Sequence, residues 1–158
     1  GTFLSCLKSS NFIGDGAMGQ GIVYESLNMS SLYNLPILFV VEQNNISQST
    51  NLNEITSGSL QKRFESFGIE TRKIKSSNVY DLVKYSLPLI KKVRKSSKPY
   101  CAIIEADRLC AHSKGDDFRK NLKNINDPLK SLKQHNKNFN ILDSNSKELI
   151  RNLIDGLI

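Results

Sequence analysis

The stretch Phe12-Ile13-Gly14-Asp15-Gly16-Ala17-Met18-Gly19 ends a short apolar run in a glycine turn that carries an acid. Asn11-Phe12-Ile13 reads as the end of a buried strand stopped by Gly14, and Gly21 to Asn34 reads as the helix that follows the turn. Pro36-Ile37-Leu38-Phe39-Val40-Val41 is a continuous apolar run of the kind found in strands buried on both faces. Gln43-Asn44-Asn45 follows that run. Strand, helix and strand in this order place Asp15 and Asn44 at the same edge of a parallel sheet. A carboxylate and an amide converging there, beside backbone N–H groups, suit a divalent cation that carries a diphosphate.

Further along, Leu60 to Phe67 reads as a short helix ended by Gly68, and Ile69 to Ile74 as a strand. Asn78 caps a helix through Ile90, which Pro88 is expected to kink or divide. Tyr100 to Glu105 is a further buried strand. Glu42 to Thr56 and Ala106 to Lys120 read as polar loops, and long ordered loops of this kind usually carry function. Helices are expected over Leu129 to Gln134 and Ser146 to Leu157. The alternation predicts an α/β fold: an open, mainly parallel sheet with helices on both faces, and ligands beyond the carboxyl ends of the strands. Residues 1–158 are read as a single domain, with 133–158 as a C-terminal linker and helix.

Composition narrows the class. An apolar fraction of 39% and a charged fraction of 23% fit a globular chain, and no apolar run reaches the length of a membrane span. The net charge of +7 is spread along the chain and reads as solvated faces, so neither nucleic acid nor a membrane is the expected partner. Cys6, Cys101 and Cys110 show no CxxC spacing, which favours reduced thiols and a cytoplasmic location. His112 and His135 are the two histidines of the chain, too few for a histidine zinc site.

Two ligand readings compete for the glycine loop. GDGAMG also satisfies G-x-G-x-x-G, and Glu42 sits where a ribose-binding acid of an NAD or FAD domain would be. In that reading Asp15 would face a pyrophosphate directly and repel it, and Asn44 has no role. A cation between Asp15 and the phosphates turns the repulsion into ligation and employs Asn44. A tight turn without a ligand, Asn44 as a turn cap, and Asn45 as ligand after a one-residue register shift are the plainer alternatives.

GDGA-x-x-x-G from Gly14 to Gly21, followed by YESLNMSSLYNLPILFVVEQN from Tyr24 to Asn44, closely resembles the thiamine-diphosphate motif of 2-oxo acid dehydrogenases. The likeness is to the alpha-type subunit of their decarboxylating component, as in the pyruvate, branched-chain and acetoin members. It continues through Ser49-Thr50, HSKGDDFR at His112 to Arg119, and Asp127-Pro128-Leu129, and covers about Gly14 to Leu132.

The resemblance implies Mg²⁺ held by Asp15, Asn44 and the Ile46 carbonyl. It implies a thiamine diphosphate cradle at Gly14, Asp15, Gly16 and Ala17, with Asn44 and the catalytic His112 also facing the cofactor. His112 would stand in a loop closing over the cofactor near the substrate carboxylate, and the plain alternative is an exposed loop histidine. Asp116, Asp117 and Arg119 would order that loop by charge pairing.

In such enzymes a 2-oxo acid is decarboxylated and its acyl group passes to a lipoyl group on an acyltransferase partner. A glutamate on the pyrimidine-binding domain of a beta-type subunit activates the cofactor ring, in a heterotetramer or another oligomer. Thirteen residues precede Gly14 where the family has a longer segment, so an incomplete alpha-type subunit is expected, active only with its partner. A non-catalytic remnant of the fold is the remaining alternative.

Overall fold

In the computed structural model, residues 9–76, 78–113 and 127–155 are described. The chain divides into two compact units, Gly1–Ile125 and Asn126–Ile158. In the first, β1 (Ser9–Gly14) leads through a 3-10 turn (Asp15–Gly19) to α1 (Gly21–Leu32) and β2 (Ile37–Gln43). A small hairpin follows, β3 (Ile46–Ser47) and β4 (Thr50–Asn51), then α2 (Leu52–Ile55) and α3 (Leu60–Glu65). β5 (Glu70–Ile74), α4 (Val79–Ser96) and β6 (Tyr100–Glu105) complete it.

The four long strands form a parallel sheet in the order β1-β2-β6-β5, with Val41 opposite Ile103 and Ile74 opposite Ile104. Because side chains alternate along a strand, β2 and β6 feed two separate cores. Phe39, Val41, Cys101 and Ile103 pack with Leu27 of α1 and with Leu60 and Phe64 of α3. Leu38, Val40 and Ala102 pack with Leu89 and Val93 of α4. Helices thus cover both faces, as the unbroken apolar runs of the two central strands require. Phe64, fully buried with its ring centroid 5.8 Å from that of Phe39, contributes on the order of 2–3 kcal/mol by burial alone. The outer strands are more polar, and Thr71, Arg72 and Lys73 mark the β5 edge.

Three sequence expectations need correction. Pro88 does not divide α4, which is a single helix from Val79 to Ser96. Pro88 is exposed, so water can satisfy the carbonyl of Lys84 that loses its N–H partner, and Leu89 and Val93 keep the buried face continuous. The polar stretch from Glu42 to Thr56 is not one loop, since it holds the β3–β4 hairpin and α2. The last helix begins earlier than Ser146.

That helix belongs to the second unit, which consists of α5 (Pro128–His135) and α6 (Phe139–Asp155). Asp127 caps α5 by accepting from the N–H of Leu129 at 2.9 Å, and Pro128 takes the first turn, where no N–H is needed. α6 includes the weak helix formers Asn140, Asp143, Ser144 and Asn145, and Lys147 pairs with Asp143 one turn away at 2.7 Å.

Candidate functional site

The carboxyl ends of β1 and β2 deliver two loops to one place. Gly14 ends β1 in extended backbone, and the chain then winds into the 3-10 turn from Asp15 to Gly19. Asp15 is 2% exposed, and its Oδ2 accepts the backbone N–H groups of Asn44 at 2.9 Å and Asn45 at 2.6 Å. Two successive N–H groups thus converge on one oxygen, and Asn45 itself takes a left-handed conformation at φ 63°, which asparagine tolerates. Asn44 closes its own turn, its Oδ1 accepting from the N–H of Ile46 at 2.9 Å. The exposed Asn45 side chain instead accepts from Gln43 Nε2 at 2.9 Å.

Burial pushes the Asp15 carboxyl above its ordinary range, and the backbone N–H groups of Asn45, Asn44, Gly16 and Asp15 itself pull it back in part. A carboxylate with a raised folded-state pKa is ionised at a cost. Stability is therefore lost as pH rises through the carboxylate range, and a bound cation would offset the loss.

The turn and the hairpin are in close contact. A Cβ added to Gly16 would stand 2.3 Å from Ser47 Oγ and 2.6 Å from Ser47 Cβ, so only glycine fits. A Cβ on Gly14 would meet nothing within 4 Å, which leaves room at the mouth of the turn. Gln48, at φ 53°, turns the two-residue loop between Ser47 and Thr50.

The segment after β6 is tied to the same edge. Ala106 donates its N–H to Gln43 O at 3.0 Å, and Arg108 Nη1 donates to Gln48 O at 2.6 Å. His112 lies exposed on that segment, while Asp116, Asp117 and Arg119 lie outside the described residues. Beside the turn, a cavity of about 680 Å³ opens over the ends of β2, β5 and β6. Gln43, Asn45, Thr56 and Lys73 line it, and Lys73 pairs with Glu105 at 2.6 Å.

The donor chemistry fits a hard cation with a phosphate ligand. Asp15, Asn44 and the backbone of Ile46 offer oxygen donors within one short loop pair. Among the described residues no cluster of three or more His, Cys, Asp or Glu exists. One carboxylate with amide and carbonyl oxygens suits a magnesium ion that completes its shell with phosphate oxygens and water. The structure therefore brings Gly14, Asp15, Gly16, Ala17, Asn44 and Ile46 together, and carries His112 on the segment after β6.

Sequence reading missed the residues that brace this arrangement: Ser47, Arg108, Arg63 and Tyr24. Ser47 and Tyr24 stand within or next to recognisable motifs, but nothing in their spacing announced their contacts. Arg63 reaches Met18 from 45 residues away, a separation that no local pattern encodes.

Comparison with known proteins agrees with this geometry. Residues 8–158 match the family model described as the dehydrogenase E1 component. The alpha subunit of the pyruvate dehydrogenase E1 component from Rickettsia typhi is 34% identical over 106 residues, covering 66% of this chain and 32% of the relative. The alpha subunit of acetoin:2,6-dichlorophenolindophenol oxidoreductase from Cupriavidus necator is 31% identical over 106 residues, again 66% of this chain and 32% of the relative. The chain thus spans about a third of the length of the curated relatives it matches. Among solved structures, transketolase from Campylobacter jejuni superposes with a TM-score of 0.54 at 26% identity, over 62% of this chain and 15% of that one. The family match supersedes the NAD or FAD reading of the glycine loop. The chain belongs to the dehydrogenase E1 component family, as an alpha-type member of the thiamine-diphosphate-dependent 2-oxo acid dehydrogenases.

Proposed function

We propose that this chain holds Mg²⁺–thiamine diphosphate by its diphosphate, as one part of an enzyme that decarboxylates a 2-oxo acid. The observation that carries this reading is Asp15: a carboxylate buried in a glycine turn and fixed by the N–H groups of the Asn44 loop. Asp15, Asn44 and the Ile46 carbonyl would ligate the cation, and Gly14, Gly16 and Ala17 would admit the phosphates to the start of α1. Thiamine diphosphate, when bound, supplies the electron sink for loss of carbon dioxide. The buried Asp15 side chain sets where the cation sits before any ligand arrives, so little reorganisation accompanies binding. His112 would face the substrate carboxylate from the segment that Arg108 anchors to the hairpin.

The remaining parts come from partners. A beta-type subunit would supply the pyrimidine-binding domain, in a heterotetramer or another oligomer, and a lipoyl acyltransferase would receive the acyl group. A cytoplasmic setting accords with this scheme, and no helix among the described residues is long and apolar enough to cross a membrane. The relatives named above include pyruvate and acetoin enzymes, so a small 2-oxo acid or acetoin-like compound is the substrate class.

Reconstitution with the beta-type subunit of the same source tests the proposal. Carbon dioxide release from pyruvate or a branched 2-oxo acid, or aldehyde release by carbon–carbon cleavage of an acetoin-type substrate, dependent on thiamine diphosphate and lost in His112→Ala, is expected. Cofactor binding without turnover of any such substrate would favour the non-catalytic remnant.

A further inference from the structure

The turn from Asp15 to Gly19 has no side-chain cap and contains two glycines besides, so its shape must be imposed from outside. Asp15 secures one end through Asn44 and Asn45. The other end is Met18, whose side chain is fully buried. The Met18 carbonyl oxygen accepts two side-chain hydrogen bonds, from Tyr24 Oη at 2.5 Å and from Arg63 Nη1 at 3.0 Å. The second guanidinium nitrogen, Nη2, donates to the carbonyl oxygen of Ser57. The guanidinium also stands over the Tyr24 ring, 5.5 Å from its centroid, and that ring contacts Phe67 at 6.5 Å. One planar cation therefore ties the turn, α1 and the loop that enters α3.

We propose that Arg63, stacked on Tyr24, is a positioning residue for the diphosphate: it holds the Met18 end of the turn so that the backbone of Gly16 and Ala17 faces the phosphates. This rests on the thiamine diphosphate reading of the site. A fork of donors in fixed geometry is what arginine offers and lysine does not, so the charge alone is not sufficient. The asymmetry is functional. Asp15 fixes the cation side of the turn and Arg63 the phosphate side, and displacements near 1 Å in such a cradle are costly.

The test is calorimetric titration of the full chain, at saturating Mg²⁺, with thiamine diphosphate and separately with thiamine monophosphate. Arg63→Met is expected to raise the Kd for thiamine diphosphate about tenfold, the scale of one charge-assisted hydrogen bond. The Kd for the monophosphate should hold within about twofold on the same scale. Arg63→Lys should recover part of the loss. Tyr24→Phe, which keeps the ring under the guanidinium and removes only the bond to Met18, should cost about threefold.

Arg72→Met is the control, because Arg72, on β5, also lies over a tyrosine ring, that of Tyr85, 4.7 Å from its centroid. Unchanged affinity in both Arg63→Met and Tyr24→Phe would overturn the proposal, as would equal weakening of both ligands or an equal loss in Arg72→Met. Should Arg63→Met fail to fold, Tyr24→Phe decides: a selective loss supports the proposal and no loss overturns it. Failure of the unmutated chain to bind thiamine diphosphate with Mg²⁺ would instead overturn the reading on which the proposal rests.

Discussion

Ser47 occupies the space a side chain on Gly16 would need, its Oγ 2.3 Å from the position of the missing Cβ. The glycine turn and the hairpin after Asn44 are thereby locked in register. The contact reaches Ser47 Cβ as well, at 2.6 Å, so rotating the hydroxyl away does not relieve it. Gly16→Ala should destabilise the fold by about 1–3 kcal/mol, the usual cost of overpacking. Ser47→Gly in the same chain should restore much of the loss, giving a coupling of roughly 1–2 kcal/mol in a double-mutant cycle read by urea denaturation. Additive effects would show that the two loops are independent.

Gln48 bears a strained backbone at φ 53°, at the first loop position of a two-residue hairpin where glycine is the favoured residue. Its carbonyl, not its side chain, accepts the bond from Arg108. Gln48→Gly should therefore leave that anchor in place and stabilise the chain by about 0.5–1 kcal/mol once backbone strain is released. Thermal unfolding monitored by circular dichroism checks the sign, and a lowered midpoint would contradict it.

The thiols should separate cleanly by environment. Cys101 is fully buried between the helices and the sheet, and burial drives its thiol far above the ordinary range, the Thr71 hydroxyl opposing in part. Cys110 is exposed. In a Cys6→Ser background, one thiol should react with a disulfide reagent in the native state and a second only in denaturant. Reaction of both without denaturant would mean that the β6 core opens readily.

Much of this fold can be read directly from apolar runs. β2 and β6 announce themselves because both of their faces are buried, leaving no polar alternation. The run from Tyr100 to Glu105 matches β6 to the residue. The hairpin at Ile46 to Asn51 was not readable, since two-residue strands carry no periodicity and their pairing depends on Asn45 and Gln48 adopting left-handed backbone. Pro88 does not divide α4, since at its exposed position water can take the Lys84 carbonyl that the missing N–H leaves free. At the site, Asp15 and Asn44 could be paired from the strand order, because parallel neighbours must release their loops at one edge. That Asp15 grips the loop through its N–H groups, and that Arg63 braces the far end, belong to tertiary packing and have no local signature.

In the proposed site, Asp15 makes diphosphate binding depend on a divalent cation. Calorimetric titration of the chain with thiamine diphosphate, with and without Mg²⁺, and again in Asp15→Ala, addresses it most directly. Binding with Mg²⁺, a loss of at least about tenfold on chelation, and no response to Mg²⁺ in Asp15→Ala are expected. Equal binding with and without the cation, or a Mg²⁺ response that survives in Asp15→Ala, would contradict it.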